Sequence, residues 1–340
     1  MNAAASPAQA DATADTLGGI IMLAAAAAAM VWANSRWAAS YGELFAWPLG
    51  PAAIHMQKSL GLWISDGLMA IFFLFVGLEI KREMVEGRLS SRDRIALPAI
   101  AALGGMIVPA VIFFAVNKGD ALALRGWAVP CATDIAFSLA VLRVVGSRVP
   151  VSLRLFLTAV AILDDIGAIA IIAVFYTDTL SLTMLAAALI PLGALIALNR
   201  AKVSSVVPYL LFGVVLWLCV LKSGIHPTIA GVLLAATIPL KTSRGFMLEK
   251  LEHGLKPWVV FLILPVFALA NAGVSLEGLG FAGVMEPVAL GIILGLVFGK
   301  TIGVTLGILA AKVAGISRPP EGSSWVQITA WRSCAASASP

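Results

Sequence analysis

Hydrophobic residues dominate this chain in long blocks, and polar residues gather in the short gaps between them. Windows with the length and composition to cross a bilayer fall near 17–34, 59–80, 95–116, 122–142, 151–175, 182–199, 206–221, 225–240, 257–273 and 287–311. The pattern predicts an all-α, polytopic membrane protein with about ten transmembrane helices. Residues 1–16 form a tail ahead of the first helix. The tail contains Asp11 and Asp15 but no Lys or Arg, so it lacks the basic start of a cleavable signal. A loop at Gly42–Pro51, with Trp47, Pro48 and Pro51, reads as an edge hairpin.

Composition agrees with the pattern. Of 340 residues, 60% are hydrophobic and 12% charged, about half the charge of a soluble domain. The net charge of +5 is not a nucleic-acid signature, because the basic residues sort by loop. Seventeen lie in one set of alternating loops, among them Lys81, Arg82, Arg143, Arg200, Lys250 and Lys312. Five lie in the other set: Arg36, Lys58, Lys118, Arg125 and Lys222. By the positive-inside rule the N-terminus is expected in the cytoplasm. Cys131, Cys219 and Cys334 are too scattered for a disulfide framework. His55, His226 and His253 show no metal-ligand spacing, and no nucleotide-binding motif is present. An ion gradient is therefore the expected energy source, with no cofactor.

The charges inside the apolar windows carry the chemistry. Asp164 and Asp165 stand side by side in Ala161–Ile169, within the window 151–175. A charge at that depth costs roughly 2.5–3.5 kcal/mol even on the lenient insertion scale, which points to transport of something positive. Successive helical residues point about 100° apart, so one acid can face a wet funnel while the other meets a partner. Lys300 is the only basic residue deep in a window. It is the expected partner of Asp164, or a movable positive charge. Asp66 is a further expected deep charge. Pro130 should break or kink its helix, just before Thr133 and Asp134. Carboxylates with hydroxyl and backbone oxygens suit a hard cation, and such a pocket can hold protons or a small cation in turn.

At these residues the chain resembles the NhaA family of bacterial sodium–proton antiporters, from about Leu17 to Ile328. The matching stretches are Phe73–Glu83, Ala132–Phe137, Asp164–Asp165 continuing to Phe175-Tyr176-Thr177, Leu221–His226, Leu251-Glu252-His253 and Asn271–Leu276. The resemblance implies an inverted-repeat transporter fold with discontinuous helices. It implies that Asp164 and Asp165 bind the transported Na+ or Li+ and the protons, with Asp165 facing the funnel. Asp134 and Thr133 would compensate charge where two broken helices cross, and Lys300 would pair with Asp164 or balance the crossing. Glu79, Arg82, Glu83, His226, Glu252 and His253 match positions that the family uses for pH sensing. Read alone, Glu79, Arg82, Glu83 and Glu86 on one helix face suit a salt-paired helix end. Lys256 stands where the family carries a second histidine. Electrogenic, pH-regulated exchange in the bacterial inner membrane, by a protein that tends to form homodimers, is what the resemblance implies.

The chain's end departs from the family. About ten of the family's twelve helices are expected in residues 17–328, and residues 329–340 form a polar tail in place of helices 11 and 12. Back-translated with suitable codons, Ala330–Pro340 reads in a shifted frame as Val-Ala-Leu-Leu-Cys-Gly-Ile-Gly-Phe-Thr-Met, the family's helix 11. A frameshift near codon 329 is the expectation, testable on the gene. A truncated, nonfunctional family member is then the alternative to an active antiporter. A cation channel shares the acids but needs no crossing at Pro130 and Thr133. An intramembrane aspartyl protease needs Tyr-Asp and Gly-x-Gly-Asp motifs, and the contexts here are Ala132-Thr133-Asp134 and Leu163-Asp164-Asp165.

Overall fold

The computed structural model describes residues 7–51, 56–87, 92–131, 151–175, 180–243, 245–276, 283 and 285–316. Ten helices are described: α1 (Pro7–Ala33), α2 (Ala38–Ala46), α3 (Leu60–Val85), α4 (Arg92–Val116), α5 (Val151–Phe175), α6 (Leu182–Arg200), α7 (Val206–Ser223), α8 (Thr228–Thr237), α9 (Met247–Asn271) and α10 (Pro287–Val313). Among the described residues, seven helices are long and apolar enough to cross a membrane. Two small antiparallel ribbons pair Pro48–Leu49 with Lys58–Ser59, and Lys241–Thr242 with Gly245–Phe246. The first ribbon places a hairpin farther along than Gly42–Pro51, because Gly42 belongs to α2.

Three expectations are corrected in detail. The window 225–240 contains only the 10-residue α8, about 15 Å at 1.5 Å per residue and half of a hydrocarbon core of about 30 Å. Hydropathy averaging overlooked that the flanks leave the helix: Gly224 ends α7 in the left-handed conformation at φ 86°, and Ile238 is extended. The helix expected at 257–273 instead begins at Met247. Its first three turns are amphipathic, with Met247 and Leu248 buried and Lys250 and His253 exposed, so their mean hydropathy hides them. Residues 122–131 of the window 122–142 hold short 3-10 turns at Ala123–Gly126 and Val129–Cys131 in place of an α-helix. The N–H that Pro130 lacks is consistent with that interruption. Residues 132–150 and 317–340, which include Thr133, Asp134 and the polar tail, lie outside the described residues.

The chain forms two units, each drawn from two separate stretches: Met1–Arg82 with Ile172–Glu277, and Glu83–Ile171 with Gly278–Pro340. In the first unit a core of Leu74, Leu78, Leu195, Tyr209, Leu216, Leu234, Ala235 and Leu248 joins α3, α6, α7, α8 and α9. Backbones approach closely there, since a Cβ on Gly231 of α8 would strike the Ala70 carbonyl of α3. In the second unit α4 and α10 pack along their lengths. A core of Leu97, Ala101, Phe156, Val160, Val304 and Ile308 ties α5 to the pair. Glycine makes that packing close: a Cβ on Gly104 would collide with the Gly303 carbonyl, and one on Gly303 with the Gly104 carbonyl. Lipid tails offer no hydrophobic gain to helix association, so small residues that admit close backbone contact drive it instead.

Candidate functional site

The second unit holds a buried lysine–aspartate pair. Asp164, on α5, is only 3% exposed. Lys300 Nζ donates to its Oδ2 at 2.7 Å. The ammonium also donates to the Cys131 carbonyl oxygen, in the turn Val129–Cys131. Lys300 is delivered by a π turn, Gly295–Gly299, immediately before it in α10. One extra residue in that turn rotates everything after it, and such turns often mark functional positions in helices. Gly295 lies so close to Pro130 that a Cβ on it would sit 2.7 Å from the proline Cβ, which keeps the turn against α10. Asp165 is the next residue of α5 and is half-buried. It therefore points to a different side of the helix from Asp164, as the spacing requires.

The sequence reading overlooked the turn's role in this arrangement. The Cys131 thiol is buried and donates to the Met106 carbonyl of α4 at 3.2 Å, with its own Trp127 carbonyl farther off at 3.5 Å. No sequence signal reports a backbone carbonyl as a lysine acceptor. A second overlooked feature did have one: Gly295, Gly299, Gly303 and Gly307 recur every fourth residue, and each of these positions would bring an added Cβ against α4 or Pro130.

The expected pH-sensing residues separate into two places, and all but Glu83 belong to the first unit. Near the end of α3, Arg82 makes a two-pronged pair with Glu252 of α9, Nε to Oε2 at 2.8 Å and an Nη to Oε1 at 3.0 Å. Glu252 is buried, whereas His253 is exposed and donates through Nδ1 to the Glu249 carbonyl at 2.7 Å. Glu79 and Glu83 lie half-buried on α3, one turn before Arg82 and one residue after it. Beside them Lys81 donates to the Ala236 carbonyl at 2.7 Å and to the Ile238 carbonyl, and Asn199 donates to the Thr237 carbonyl at 2.6 Å. These bonds satisfy the carbonyl end of α8, which a short helix leaves open.

His226 belongs to the other place. It sits between α7 and α8, with Nδ1 at 2.8 Å from Thr228 Oγ1. Burial pushes its pKa below the ordinary histidine value, opposed by nearby Asp66 and assisted by Lys58. Asp66 is paired with Lys58 at 2.7 Å in the π turn Ile64–Leu68, six residues after the first residue of α3. The 16 residues from Asp66 to Arg82 correspond to about 24 Å of helix. His226 is therefore remote from the Arg82–Glu252 pair.

Bilayer-length apolar helices, interrupted helices and a lysine–aspartate pair buried among them define a multi-pass α-helical membrane protein built around internal charge. The comparisons make the class particular. The chain belongs to the Na+/H+ antiporter 1 family, whose model matches residues 10–337. A protein of Rhodospirillum rubrum named Na(+)/H(+) antiporter NhaA is 54% identical over 319 residues, covering 92% of this chain and 80% of that one. A protein of the same name in Mesorhizobium japonicum is 52% identical over 285 residues, 82% of this chain and 70% of its own length. In Pseudomonas syringae pv. tomato, Na(+)/H(+) antiporter NhaA 2 is 50% identical over 318 residues, 92% of this chain and 80% of that protein.

Proposed function

We propose that this chain exchanges sodium ions for protons across the bacterial inner membrane, with Asp164 and Asp165 as the shared binding groups. The observation that carries the reading is the buried Lys300–Asp164 pair, one residue from a second carboxylate on a bilayer-length helix. An ammonium, a proton and a sodium ion are alternative ways to neutralise Asp164. Arrival of sodium must displace the ammonium and any protons, and their return expels sodium. Two carboxylates can hold two protons against one sodium ion, so each cycle moves net charge and the membrane potential can drive it. Sodium, or lithium, leaves the cytoplasm as protons enter.

The seventeen-to-five bias of basic residues supports a cytoplasmic N-terminus. Asp134 and Thr133, by the family resemblance, balance charge where interrupted helices cross. Arg82–Glu252 then lies on the cytoplasmic side, where Glu79, Glu83 and His253 join it in sensing pH, and His226 lies near the outer face. No cofactor or nucleic acid takes part, and no covalent chemistry is required.

Purified full chain in proteoliposomes tests the reading. A sodium pulse should move protons, and Asp165→Asn or Asp164→Asn should reduce that movement to the protein-free rate. Proton flux that persists in both variants would exclude these acids as the exchange site.

A further inference from the structure

We infer that Cys131 is a positioning residue for sodium release and uptake: its thiol fixes the Val129–Cys131 turn so that the turn's carbonyl holds Lys300 whenever Asp164 is occupied by the transported ion. The inference rests on the exchange reading above.

An ammonium has three donors, and two of those on Lys300 are directed to Asp164 Oδ2 and the Cys131 carbonyl. The two acceptors differ in what transport does to them. Asp164 changes partner in every cycle, whereas a backbone carbonyl has no charge to lose and is never consumed. A lysine set free between apolar helices without an acceptor would be costly. The carbonyl lowers that cost and so makes sodium's displacement of the ammonium easier.

The carbonyl can do this only if the turn stays in place. Two contacts among the described residues help to hold it. On one side the Cys131 thiol, 2% exposed, donates to the Met106 carbonyl of α4. On the other, Pro130 is buried against Gly295 in the π turn that delivers Lys300. Acceptor and donor are thus fixed to the same two helices, and a shift of the turn changes the Lys300–carbonyl distance directly.

Loosening the turn should therefore weaken apparent sodium affinity more than turnover. In proteoliposomes of the full chain, Cys131→Ala should raise the sodium KM about fivefold with the maximal rate within twofold, the scale of one hydrogen bond to a charged group made less favourable. Cys131→Ser keeps a donor toward Met106 and should stay within about twofold of wild type. Gly295→Ala, which pushes on Pro130 from the other side, should raise KM as Cys131→Ala does. It decides the matter if Cys131→Ala fails to fold. Cys219→Ala, on α7 in the first unit, should leave both parameters unchanged.

Unchanged KM in Cys131→Ala and Gly295→Ala would overturn the inference, and so would a fall in maximal rate alone, the mark of a merely structural role. A wild-type chain that moves no protons in response to sodium would instead overturn the exchange reading on which the inference depends.

Discussion

Lys300 and Asp164 show how a membrane interior changes the value of a single bond. Side chains 13% and 3% exposed have given up most of their hydration, and each is tolerable there because of the other. Removing one partner strands the other, at a cost of about 3–5 kcal/mol in buried pairs. Lys300→Ala should therefore lower the midpoint of thermal unfolding clearly, and Asp164→Asn should do the same. Lys300→Met combined with Asp164→Leu should recover most of that loss while leaving exchange abolished. A double variant no more stable than the singles would show that the pair is not the source of the cost.

His226 gives a second test at this scale. Burial lowers its pKa, so the folded state favours the neutral ring. The stabilisation is intact above the unfolded value of about 6.5 and is lost as pH falls through it. Thermal stability should decline on acidification from pH 7.5 to 5.5, and His226→Asn should flatten that decline. An equal decline in both proteins would assign it to other groups.

Among elements, α4 and α10 are joined by backbone proximity and not by bulk. Gly303→Val must push against the Gly104 carbonyl, and overpacking of this kind costs about 1–3 kcal/mol. Gly193 of α6 has nothing within 4 Å of an added Cβ, so Gly193→Ala should be neutral or stabilising by up to about 1 kcal/mol. Thermal melts of the two variants in detergent should move in opposite directions or differ clearly; equal shifts would contradict the close packing.

Legibility from sequence divides at the same level. The spanning helices and the paired acids were readable, because long apolar runs and charges inside them are local signals. Lys300 was readable as a partner only because it was the sole deep base; the contact joins residues 136 apart. The length of α8 depends on where capping carbonyls are satisfied by Lys81 and Asn199, and the amphipathic start of α9 averages to low hydropathy. Neither survives a sliding window. The π turns leave no mark in composition, yet one of them aims Lys300.

At the scale of the whole chain, most residues proposed for pH sensing and those proposed for ion binding fall in different units. The Arg82–Glu252 pair belongs to the first unit, as do Asp66 on α3 and His226 between α7 and α8, while Asp164, Asp165 and Lys300 belong to the second. Glu252→Gln should weaken the two-pronged pair and destabilise the protein by about 1–3 kcal/mol, discounted because Arg82 is 30% exposed. It should also shift the pH dependence of exchange while leaving sodium binding at saturating pH intact. Loss of sodium binding in Glu252→Gln would place that pair within the transport site.

The claim beneath these expectations is that a metal ion and protons compete for one acidic pocket. Calorimetric titration of sodium into the purified full chain, repeated in buffers of different ionisation enthalpy, measures the protons released for each ion bound. Release of one to two protons per sodium ion is the result that competition between two carboxylates predicts, and Asp165→Asn should abolish it. Sodium binding with no proton release in any buffer would contradict exchange at a shared site.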